Sequence, residues 1–191
     1  MPEVGDLAAW PGRRLSGWWL AFSVVYGACV LLAAVSHDAG SIALTGFAIT
    51  VPMIGLLAAI DVTTRQLPRA ISYAACVLAL PLLSFDARAD GDGTWSAARG
   101  ALLMVAITAV FRLVGRGSLG RGDVHFSPLL GAVAGWFGAR EVVATWLATA
   151  MLGGFVAMII VLSGHDRRTR FAYGPLLLLG LCVALLITAW R

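Results

Sequence analysis

Apolar residues do not alternate with polar ones along this chain; they run on in long blocks separated by short polar interruptions. The blocks cover roughly 17–35, 41–60, 69–85, 98–114, 124–139, 142–163 and 171–190, most of them near the length a helix needs to cross a bilayer. A membrane barrel would need strands of alternating character, which are absent. The pattern therefore predicts an all-α fold, a polytopic membrane bundle of about seven transmembrane helices. Residues 1–40 hold a tail and one N-terminal anchor helix, and residues 41–191 hold a six-helix core. No internal repeat or low-complexity tract interrupts it, and the longest connections are about a dozen residues.

Composition agrees. Of 191 residues, 60% are hydrophobic and 13% charged, with a mean hydropathy of +0.87. A soluble domain of this size could not hide so much apolar surface, so lipid is the solvent. All 14 basic residues are arginine. The net charge of +4 implies no nucleic-acid partner, because arginines in a membrane chain chiefly set its orientation. Cys29, Cys76 and Cys182 lie far apart within apolar runs and form no CxxC pair, which points to buried, inert thiols.

The arginines sort by side. Arg13, Arg14, Arg65, Arg69, Arg112, Arg116, Arg121, Arg167, Arg168 and Arg170 fall in alternate connections; the other set has only Arg88, Arg99, Arg140 and Arg191. Ten against four places the first set, and the N-terminus, in the cytoplasm. The opposite connection "FDARADGDGTW" (85–95) is acidic and turn-rich, as an exposed loop should be. The first apolar run, behind Arg13 and Arg14, can be read as a secretory signal. Its length favours an uncleaved anchor, and either choice leaves the later helices in the same orientation.

Two aspartates stand out against this background. Asp61, in "LLAAIDVTTRQLPRAIS", ends the second apolar segment, and Asp123, in "GRGDVHFSPLLGAVAGWFG", opens the fifth. Two complete crossings lie between them, so both come to the same face of the membrane. Taken singly, each reads as an ordinary helix-end residue, Asp123 as an N-cap or first-turn carboxylate. Gly120 and Gly122 free the backbone before Asp123 to take positive φ and to approach another segment closely. Pro68 suits the first turn of the third helix.

The order "DVTTRQLP" (Asp61 to Pro68), then "GRGD" (120–123) with "LLGAVAGWFG" after it, then "RFAYGPLLLLG" with Gly174–Pro175, resembles the type IV prepilin peptidases, the GxGD membrane aspartic proteases. The resemblance spans about residue 41 to the end. It implies catalytic Asp61 and Asp123, with Gly120, Gly122, Pro68, His125, Gly174 and Pro175 binding substrate or supporting the site. It implies a multi-pass protein of the bacterial plasma membrane whose partners are prepilin or pilin-like precursors. Their short polar leader is cut off where it meets an apolar helix. His125 stands where the family often has lysine, and takes over that basic contact when protonated. Larger members insert a cytoplasmic CxxC domain and methylate the new N-terminus. Here "SHDAG" (36–40) alone joins the first two helices, so methylation is not expected.

Two neighbouring carboxylates share a proton: the charged one serves as general base on a water, the neutral one polarises the scissile carbonyl. Such a site needs neither metal nor cofactor. The competing reading is a small transporter or proton-conducting protein, which calls for carboxylates near mid-membrane and broken helices in paired repeats. Other chemistry is weaker. His37–Asp38 and His125 face opposite sides, His165–Asp166 in "GHDRRTR" reads as a solvated turn, and Met151, Met158 and the tryptophans read as packing or interfacial anchors. Gly153–Gly154 reads as a site of close helix approach.

Overall fold

A computed structural model describes residues 12–64, 68–85, 95–115, 120–163 and 173–190. Among these there are seven helices and no strand: α1 (Gly12–Ser36), α2 (Ser41–Thr64), α3 (Arg69–Phe85), α4 (Ser96–Val114), α5 (Arg121–Phe137), α6 (Ala139–Leu162) and α7 (Gly174–Ala189). The all-α bundle expected from the apolar blocks is the fold. Four helices are long and apolar enough to cross a membrane: α1, α2, α4 and α6. The other three have 16 or 17 residues and extend only ~25 Å at 1.5 Å per residue. The tail before residue 12, Arg65, most of the acidic connection at 85–95, Arg116, His165–Asp166 and the arginines at 167, 168 and 170 lie outside the described residues.

Helix ends differ from the apolar blocks where charge and helix coincide. α2 continues past residue 60 to Thr64, and α5 begins at Arg121 rather than at 124. Helical hydrogen bonding belongs to the backbone and continues through an aspartate whose side chain has partners of its own. Pro68 lies just ahead of α3 rather than in its first turn, and its carbonyl accepts the Ser72 amide at 3.3 Å. Gly138 alone separates α5 from α6. Its φ of 147° is open to glycine and strained for other residues, and its amide donates to the Ala134 carbonyl at 3.1 Å.

The bundle is built around α5, which packs on α3, α4, α6 and α7 and touches α2. Its Phe126, Leu129, Leu130, Val133 and Trp136 are buried, whereas Val24, Leu31, Val77, Leu102, Leu113, Met151 and Leu162 on other helices are exposed, as side chains facing lipid would be. Small residues let the backbones meet. At the α4–α5 crossing a Cβ on Gly135 would lie 2.5 Å from Gly100 Cα, and one on Gly131 2.5 Å from the Gly100 carbonyl oxygen. Several buried hydroxyls are satisfied locally, as a membrane interior favours, although those of Ser23 and Ser84 are buried without a hydrogen-bond partner among the described residues. Thr108 donates to the Met104 carbonyl at 2.9 Å and Thr149 to the Thr145 carbonyl at 2.8 Å. Thr108 also reaches across to Ser127 on α5 at 3.0 Å.

Gly100→Ala is therefore expected to destabilise the protein by ~1–3 kcal/mol through overpacking. Thermal unfolding in detergent should show a lower midpoint for this variant. Gly154→Ala, where an added Cβ meets nothing within 4 Å, should not fall below wild type. Equal midpoints for the two variants would contradict the backbone contact.

Candidate active site

Asp61 lies in the last turn of α2 and is only 5% exposed. It thus sits at a helix end, as the sequence suggested, but buried rather than at an open interface. Its Oδ2 accepts the amide of Gly174, 113 residues away, at 2.7 Å. Gly174 is the first residue of α7, where backbone N–H groups have no intrahelical partner, and Pro175 behind it brings no N–H at all. The amide that the helix cannot use is given to the carboxylate, which also lies at the positive end of α7. A Cβ on Gly174 would lie 2.8 Å from Asp61 Oδ2 and 3.1 Å from its Cβ.

Asp123 is built the same way from different parts. It sits in the first turn of α5, is 6% exposed, and reaches back so that its Oδ2 accepts the Gly120 amide at 3.1 Å. This is one half of a capping box. Gly120 has φ −60° and ψ 148°, and Gly122 is already helical. The positive φ anticipated for this pair is not used. At Gly120 the missing side chain matters instead, since a Cβ there would come within 2.8 Å of Asp123 Oδ2.

The end of α2 and the starts of α5 and α7 thus meet at one end of the bundle, and the charges of Asp61 and Asp123 act on each other. Arg112, in the last turn of α4, also acts on Asp123. Tyr173 precedes Gly174; burial, and then the Asp123 carboxylate, push its phenol up, so it remains an O–H donor at neutral pH. Among the described residues no group of three His, Cys, Asp and Glu comes together here or elsewhere.

His125 faces a different neighbour from Asp123. Two residues after Asp123 on a helix, it points some 200° away. Its Nδ1 is hydrogen-bonded to the hydroxyl of Tyr73 on α3, with the two rings edge to face at 5.5 Å. It therefore ties α5 to α3. Gly153 and Gly154 also divide: Gly153 faces the Tyr173 ring, while Gly154 opens onto empty space. Cys29 and Cys182, remote in sequence, are neighbouring free thiols between α1 and α7.

Tyr173, Tyr73 and Arg112 had no site role in the sequence reading. Tyr173 had a signal, since it immediately precedes the glycine–proline pair; the other two had none beyond residue type.

Comparison with known families matches residues 48–158 to the type IV leader peptidase family. That stretch carries both aspartates. No match was found among curated proteins or solved structures.

Proposed function

This chain belongs to the type IV leader peptidase family, and from that premise we propose that Asp61 and Asp123 are the catalytic pair of an intramembrane aspartic endopeptidase. The carrying observation is that two buried carboxylates from different helices interact at one end of the bundle, each held by a glycine amide. The pair shares one proton. Its charged member takes a proton from water as the water oxygen bonds to the scissile carbonyl carbon, and its neutral member hydrogen-bonds the carbonyl oxygen. Collapse of the tetrahedral species breaks the C–N bond, and the leaving amine takes a proton from the pair. Which aspartate begins as base belongs to the pair rather than to either residue.

The substrate is a prepilin or pilin-like precursor, cut where its polar leader meets its apolar helix. A peptide bond at a helix end is accessible, whereas one within the helix is hydrogen-bonded and shielded. The site faces the cytoplasm, on the side assigned to the arginine-rich connections, with residues 41–191 as the peptidase core and 1–40 as an added anchor. A transporter would need its carboxylates deeper, away from the helix ends.

Co-expression with pilin-like precursors from the same genome tests this reading. The expected result is a shorter precursor whose new N-terminus, read by mass spectrometry, is free of methyl groups. A precursor left at full length would overturn the peptidase assignment, and a methylated N-terminus would overturn the restriction to cleavage.

A further inference from the structure

We infer that Tyr173, seated on Gly153 of α6, is a positioning residue that holds the start of α7 so that the Gly174 amide meets Asp61. The inference rests on the peptidase reading and adds to it the wall against which one carboxylate is set. Three contacts converge on Tyr173. A Cβ on Gly153 would lie 3.3 Å from Tyr173 Cε2 and 3.9 Å from its hydroxyl, so the bare glycine makes the seat for the ring. The Tyr173 carbonyl accepts the amides of Leu176 and Leu177 at 3.0 and 3.1 Å, which fixes the first turn of α7 to the residue carrying the ring. The next amide in the chain, that of Gly174, is the one bonded to Asp61 at 2.7 Å.

The geometry leaves little slack. Pro175 fixes its own φ, so the turn cannot adjust there. Leu176 and Leu177 are buried. Movement of the ring is therefore passed to Gly174, and a lost or lengthened bond changes where Asp61 Oδ2 points. Asp61 itself is in a helix and has few rotamers to choose from. The ring faces Gly153 closely enough that removing the ring, or filling the glycine, should disturb the seat.

The test uses the protein in membranes or detergent, with Tyr173→Ala, Gly153→Val and, as a control, Gly154→Ala. Gly154→Ala should cleave a pilin-like precursor much as wild type does, since an added Cβ there meets nothing within 4 Å. Tyr173→Ala and Gly153→Val, which empty or fill the seat, should each lower kcat by ~10-fold or more while leaving KM unchanged, the signature of a misplaced reacting group. Hydrogen exchange read by mass spectrometry should speed up at Gly174 in those two variants and stay slow in Gly154→Ala. A loss in Gly154→Ala equal to that in Gly153→Val would assign the effect to α6 as a whole and overturn the inference. Unchanged kcat and exchange in both Tyr173→Ala and Gly153→Val would overturn it too. If the wild type cleaves no precursor, the peptidase reading fails by itself, and the exchange data still decide whether the ring positions Gly174.

Discussion

Asp61→Asn or Asp123→Asn is expected to slow precursor cleavage by ~10²–10⁴-fold, the usual loss when a general acid or base is removed. Asparagine keeps nearly the same shape, and its carbonyl oxygen can still accept the Gly174 or Gly120 amide. The substitution therefore removes proton transfer while leaving the packing in place. Because the carboxylates act on each other, they should fail as a unit, with the double variant little slower than either single one. Rates measured at equal membrane content decide the matter. A double variant whose loss equals the product of the single losses would mean that the two residues work independently. Appreciable turnover by one single variant would remove that aspartate from the chemistry.

The second large effect is expected from a residue that carries no functional group. Gly174→Val should lower kcat by ~10²-fold, the scale associated with displacing a reacting group by about an ångström. The strain is not in the backbone, since Gly174 occupies a helical position that other residues adopt. It is steric: a Cβ there crowds Asp61 Oδ2 at 2.8 Å, Cβ at 3.1 Å and Cγ at 3.2 Å. Three atoms of one side chain, its root included, cannot all swing aside together. Gly120→Ala makes the internal comparison. Its added Cβ approaches a single carboxylate oxygen at 2.8 Å and the next atom only at 3.6 Å, so Asp123 can relieve the contact by a small rotation, and the loss should be smaller. Single-turnover cleavage would rank the two, and a greater loss for Gly120→Ala would show that crowding at Asp61 does not limit the reaction.

Much of this was open to reading in the chain itself. Seven apolar blocks gave the helices because continuous hydrocarbon has one structural solution in lipid, and counting crossings put Asp61 and Asp123 at the same face. What stayed hidden is non-local. The partner of Asp61 is a backbone amide, which every residue but proline possesses and no residue letter announces. The bond between Tyr73 and His125 joins positions 52 apart, and the side of α5 on which His125 falls follows from a helix start at Arg121 that the apolar pattern set later. Gly120 shows a second limit. The residue type pointed both to a positive φ and to close approach, and the fold uses only the space where its side chain would be.

The one-residue junction at Gly138 bears on how the protein is made. α5 carries Asp123 in its first turn and, at 17 residues, is shorter than the ~20 apolar residues of a typical spanning helix, which makes it a poor candidate to enter a bilayer unaided. α6, with 24 residues, is long and apolar enough to enter by itself. With a single glycine between them, the two cannot be handed to the membrane separately. Entry as a helical hairpin, the second limb drawing in the first, is the expected route. Placement of the proposed catalytic carboxylate would thus depend on a neighbouring helix that contributes neither aspartate, through the single glycine that joins them.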